Sequence, residues 1–190
     1  MDKLRILFVE GKQEDVDRYT SGYYNTAFQV SACTHENFTS ALCNPEAQPF
    51  DVVVTNLRPQ DLYHDNMALL IKMMEENTSL QTRVVIFSGA AGNVIRYALD
   101  ELKHNAPTLK AIGISKPCSA KQAIKTINQF VQNMPFAEMA KDDNHNILIL
   151  PSTTPFKECD FDSYISPYRG VNRYTLKSLK ASLEACGHGS

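Results

Sequence analysis

Glu10, Asn56, Ser88 and Lys116 each close a short apolar run: Ile6-Leu7-Phe8-Val9, Val52-Val53-Val54-Thr55, Val84-Val85-Ile86-Phe87 and Ala111-Ile112-Gly113-Ile114-Ser115. In open α/β sheets functional groups gather at the carboxyl ends of the strands. A carboxylate, a hydroxyl and an ammonium collected there can hold an anion or a small ligand, with Ser88 and Lys116 as donors and Glu10 beside them. Asn56 adds an uncharged amide, a poor nucleophile. No nucleophile–base pair stands out, so the expected chemistry is binding rather than catalysis, with no catalytic residue. A plainer reading stays open for two of these residues. Ser88 can cap the loop after its strand, and Lys116 can pair with Glu10 or with solvent.

The elements that must position these groups alternate strand and helix along the first 133 residues. Strands are expected near 5–9, 28–34, 51–55, 83–87 and 110–114. The β-branched runs imply strands buried on both faces of a parallel sheet. Helices are expected from near Glu14, with Val16, Tyr19 and Tyr23 on one side, and from an Asn37 cap through about Cys43. A third is expected where Met67, Leu70, Ile71 and Met74 repeat at helical spacing. The fourth should run from about Asn93 to His104, with Val94, Ala98 and Leu102 inward. The fifth should start at a Ser119 cap and bury Ala123, Ile124, Ile127, Phe130 and Val131. This alternation demands a doubly wound α/β fold with helices on both faces and right-handed crossovers. Ser88-Gly89-Ala90-Ala91-Gly92 lacks the frame of a phosphate loop and reads as a tight turn.

An acid, a strand-end polar residue, a hydroxyl and a Lys-Pro, in that order on four strands, resemble the receiver domain of bacterial response regulators over residues 4–133. The resemblance implies a CheY-like, flavodoxin-like (βα)5 sheet of order 2-1-3-4-5. It implies that Asn56 stands where the phospho-accepting aspartate belongs, and that Glu10-Gly11 stands where an acidic pair belongs. Ser88 and Lys116 match the hydroxyl and the lysine that hold the phosphoryl group, and the Lys116-Pro117 bond is expected to be cis. Gly113 occupies the position of the switch aromatic, where a residue without a side chain cannot swing. An acyl phosphate requires a carboxylate. Mg²⁺ prefers several oxygen ligands and gives up its waters reluctantly, so one carboxylate should bind it weakly or not at all. The resemblance therefore implies a pseudo-receiver without a resident cofactor. It would dock a signalling protein (kinase, effector or another regulator) by the face of helix four, strand five and helix five: Ile95, Arg96, Leu99, Gly113, Ser115, Gln122 and Lys125. Asp61 and Asp65 are alternative acceptors in the next loop and helix start, where acids are mostly solvated.

The chain has 190 residues, 43% hydrophobic and 21% charged, with a formal net charge of -2, which suits a globular chain with no overall pull toward nucleic acid. No signal peptide and no run long enough to span a bilayer is evident, so a cytoplasmic protein without membrane contact is expected. The five scattered cysteines and five histidines show no metal spacing and imply reduced thiols. Residues 134–190 form a C-terminal extension expected to pack on the receiver-like domain or on a second copy. In it, Lys141-Asp142-Asp143-Asn144 reads as a polar link, Ile147-Leu148-Ile149-Leu150 as a buried or edge strand, and Tyr174–Cys186 as a helix. Arg169, Arg173, Lys177 and Lys180 cluster near that helix, so a transcription regulator touching DNA is the second hypothesis. The near balance of acids and bases disfavours it. An anion or small-ligand sensor at the strand-end pocket is the third.

Overall fold

The computed structural model describes residues 3–42, 49–57, 82–143 and 146–153. Its sheet is built from β1 (Arg5–Glu10), β2 (Gln29–Thr34), β3 (Val52–Thr55), β4 (Arg83–Ser88), β5 (Ala111–Ser115) and β6 (Leu148–Ile149), in the order β2-β1-β3-β4-β5-β6. The first five are parallel and β6 runs antiparallel on the outer edge of β5. The expected flavodoxin-like order is therefore present, extended by one strand.

Alternation along the strands divides the core. Leu7, Val9, Val53, Val84 and Ile86 point to one face, while Ile6, Phe8, Val52, Val54, Val85, Phe87, Ile112 and Ile114 point to the other. In β1, β3, β4 and β5, where both faces are dry, no polar residue interrupts the run before the strand end, whereas the edge strand β2 is partly exposed and carries Gln29 and Ser31. The first face is covered by α3 (Phe38–Leu42) and α4 (Gly92–Asn105). The second is covered by α1 (Gln13–Ser21), α2 (Tyr24–Ala27), α5 (Ala120–Val131) and α6 (Phe136–Asp142). The Ser119 cap is present as a full capping box: its hydroxyl accepts from the Gln122 amide, and the Gln122 side chain accepts from the Ser119 amide.

Three expectations shift. The first helix stops at Gly22, where a Cβ would strike the Arg18 carbonyl oxygen, and restarts at Tyr24. Tyr24 is thereby buried and Tyr23 is left 62% exposed. In α4 the inward stripe is Ile95, Ala98, Leu99 and Leu102, with Val94 only half-buried. The supposed link over Lys141 and Asp142 is the end of α6, whose Met139 is buried against the sheet. Ile147–Leu150 does supply the edge strand. Asp61, Asp65, the Met67–Met74 helix and the Tyr174–Cys186 helix lie outside the described residues, as do Arg169, Arg173, Lys177 and Lys180.

Candidate functional site

The carboxyl ends of β1, β3, β4 and β5 bring Glu10, Asn56, Ser88 and Lys116 to one end of the sheet. Glu10 is the hub and is 2% exposed. Its Oε1 accepts from the Lys116 ammonium at 2.9 Å and from the Tyr19 hydroxyl at 2.9 Å. Its Oε2 accepts from the Asn56 side-chain amide at 3.0 Å. Three donors from three separate elements thus satisfy one buried carboxylate, as burial of a charge requires. The Asn56 backbone amide donates to the Val9 carbonyl at 3.1 Å, fixing β3 beside β1 just where the side chains meet.

Lys116 also lies over the Phe87 ring, 4.6 Å from its centroid, so its charge is held by a carboxylate on one side and a π face on another. The Lys116-Pro117 peptide bond is cis, as the resemblance implies. Ser88 is buried, and its hydroxyl oxygen accepts from the Ala90 amide at 3.2 Å. It caps the turn after β4, the plainer of its two readings. Gly11 opens the turn into α1 and contributes no side chain to the site. Lys116 pairs with Glu10, one of the readings left open for it.

Tyr19 is the member that sequence reasoning placed only on a helix face. It stacks on Phe8 at 4.1 Å and meets Tyr24 edge-on at 5.3 Å, with Phe87 beyond. A signal was available, since a tyrosine on the buried face of a helix must find an acceptor for its hydroxyl. Burial and then the Glu10 carboxylate hold its phenol far above the ordinary range. Burial, with Cys118 and Glu10 nearby, does the same to Tyr24. Burial pushes the Cys33 thiol up to about 11. It also raises Cys118, against the opposing pull of Lys116.

The donor set does not fit Mg²⁺. A hard dication wants several free oxygen ligands, whereas here the one carboxylate already carries a cation, a phenol and an amide hydrogen. Among the described residues no three His, Cys, Asp or Glu side chains come together. Asn56, an uncharged amide, offers no carboxylate for a second metal contact.

The expected partner face requires correction. Ile95 and Leu99 are fully buried, and Gly113 is buried beneath them. A Cβ at Gly113 would drive into Ile95 Cγ2 and press on Ile149 at 3.1 Å, so the glycine lets α4 and β6 close over β5. The space where the resemblance places a ring is filled by Ile95. Arg96 and Lys125 remain exposed, Gln122 and Ser115 partly so. Lys125 pairs with Asp142 of α6 at 2.8 Å. The chain's own α6 and β6 therefore occupy much of that face.

A scan against protein-family models finds no match, and neither does a search of the curated proteins. Solved structures do match. A CheY-like receiver domain protein from Methanospirillum hungatei JF-1 superposes with TM-score 0.50 at 18% identity, covering 74% of this chain and 99% of that one. A receiver domain protein from Clostridium thermocellum gives TM-score 0.50 at 16% identity, over 68% of this chain and 95% of that one. NtrX from Brucella abortus gives TM-score 0.50 at 18% identity, over 75% of this chain and 29% of that one. Identities this low establish a shared receiver-type fold. No helix among the described residues is long and apolar enough to cross a membrane.

Proposed function

We propose that this chain is a phosphorylation-independent pseudo-receiver that works by docking a signalling protein in a two-component-type pathway. The observation that carries this reading is the amide of Asn56 donating to Glu10 at 3.0 Å, with Lys116 and Tyr19 on the other carboxylate oxygen. A phosphoryl acceptor must present a free carboxylate, and its lysine must be available to the incoming charge. Here the amide offers no such oxygen and the lysine is already neutralised. The site supports the fold, and the surface is left to carry the signal.

The test is incubation of the intact chain with acetyl phosphate and Mg²⁺, read by intact mass. No phosphoryl adduct is expected. A Mg²⁺-dependent phosphoryl adduct that hydroxylamine removes, the mark of an acyl phosphate, would refute the proposal. The anion-sensor reading is weakened at Lys116, whose ammonium is paired with Glu10, although the Ser88 hydroxyl only accepts from the Ala90 amide and keeps its own proton to donate. The DNA reading depends on residues outside those described.

A further inference from the structure

The sixth strand is the feature that a five-strand fold does not need. It pairs with β5 through only two residues, Leu148 opposite Ile114 and Ile149 opposite Gly113, with the Ser115 amide donating to the Ile147 carbonyl at 2.8 Å. Around this short ladder a set of peripheral polar contacts adds to its apolar anchorage. Asp142 of α6 pairs with exposed Lys125 and accepts from Gln129 of α5. Asp143 accepts from the amides of Ile147 and Leu148, at 3.2 and 2.8 Å, and so preshapes the turn into β6. On the far side the Ser152 amide donates to Asp100 and the Ser152 carbonyl accepts from Lys103, both of α4. Apolar anchorage comes from Met139, Ile147 and Ile149, with Ile149 seated over Gly113.

We propose that α6 and β6 form an intramolecular cover over the outer edge of β5, which a partner protein displaces by adding an extended aliphatic segment of its own. Strand addition uses backbone hydrogen bonds for affinity and alternate side-chain seats for specificity. The cover itself defines what the seat accepts. It is an antiparallel strand with an aliphatic side chain over Gly113, preceded by one acidic residue, Asp142, that reaches Lys125. Uncovering β5 exposes an unpaired edge that a competing strand satisfies at once. A two-residue ladder is the least costly edge to exchange, whereas the five-strand parallel core stays intact. The identity of the occupant rests on reading the chain as a docking module.

The test uses the full chain and a fluorescent peptide of residues 146–151. Two variants loosen the cover: Asp143→Ala removes the two amide contacts without touching the apolar packing, and Ile149→Ala weakens the seat. Amide exchange at Val53 and Val85 reports whether the core survives. The proposal expects Ser115 to exchange at least tenfold faster in both variants, with Val53 and Val85 unchanged. The peptide should bind the variants at least tenfold tighter than the unaltered chain and restore Ser115 protection. A peptide with aspartate in place of the residue matching Ile149 should not bind. Ser115 exchanging only with Val53 and Val85, or equal peptide affinity for all chains, would overturn it. So would variants whose seats are filled by strand-swapped dimers, because the occupant would then be a second copy. No phosphodonor enters this experiment, so its failure leaves the phosphorylation result standing, and the converse holds.

Discussion

An Asn56→Asp variant sets a second carboxylate against Glu10. The Asn56 amide nitrogen lies 3.0 Å from Glu10 Oε2, so the change replaces a donor by an oxygen anion at that spacing. Two unit charges at that distance repel by about 5–6 kcal/mol at an effective dielectric near 20. The pair has an escape, since one carboxyl can take a proton and recreate the lost hydrogen bond. Protonating an aspartate of ordinary pKa about 4 at pH 7 costs about 4 kcal/mol, and that sets the ceiling on the loss. Rotation of the half-buried side chain and the nearby Lys116 charge reduce it, so about 2–4 kcal/mol is expected. The sign with pH follows. Like-charge repulsion raises the folded-state pKa, so the variant regains stability toward acid and loses it as pH rises. Urea denaturation of both proteins at pH 7 and pH 5 measures the difference. The loss should fall to about 1.4 kcal/mol or less at pH 5, where the proton is cheaper by about two units. A variant as stable as the parent at pH 7, or a loss that ignores pH, would refute the network described around Glu10.

Tyr19→Phe leaves Glu10 short of one donor in a buried setting and should cost about 1.5–3 kcal/mol by denaturation, with little change in fold by circular dichroism. Gly113→Ala forces a methyl group into Ile95 and should cost about 1–3 kcal/mol, with the added strain read as faster exchange along β6. Alkaline pH should destabilise the protein. Tyr19, Tyr24 and Cys33 hold their protons above the ordinary values of 10.0, 10.0 and 9.0, so above those values the unfolded chain releases protons that the fold keeps. Stability should then fall by about 1.4 kcal/mol per pH unit for each group still retained, and a Tyr24→Phe variant should show a shallower slope in urea titrations between pH 9 and 11.

The strands were readable in the sequence because a sheet buried on both faces must be written as unbroken β-branched runs, and Val52–Val54 and Val84–Phe87 are such runs, whereas their order came from the family resemblance and not from the runs themselves. The polar residue at each run's end marked the site for the same reason, since it is the first position where a charge meets donors. What sequence pattern could not supply was the phase of two helices. Ala98 and Leu102 are inward as expected, but Ile95 and Leu99 take the place expected of Val94, over the groove left by Gly113. The Tyr19–Glu10 contact depends on how α1 crosses β1, and the break at Gly22 shifts the burial from Tyr23 to Tyr24. The role of β6 was half visible, as an apolar run of four followed by proline. Its seat on β5 depends on an edge that becomes defined only when the sheet is assembled.

The most direct test of the central claim follows backbone amide shifts by NMR while the unaltered protein is titrated with beryllofluoride and Mg²⁺, beside the Asn56→Asp variant. The account predicts no shift at Asn56, Ser88 or Lys116 in the unaltered protein, because no free carboxylate receives the acyl-phosphate mimic. Saturable shifts at those residues in the unaltered protein would contradict it.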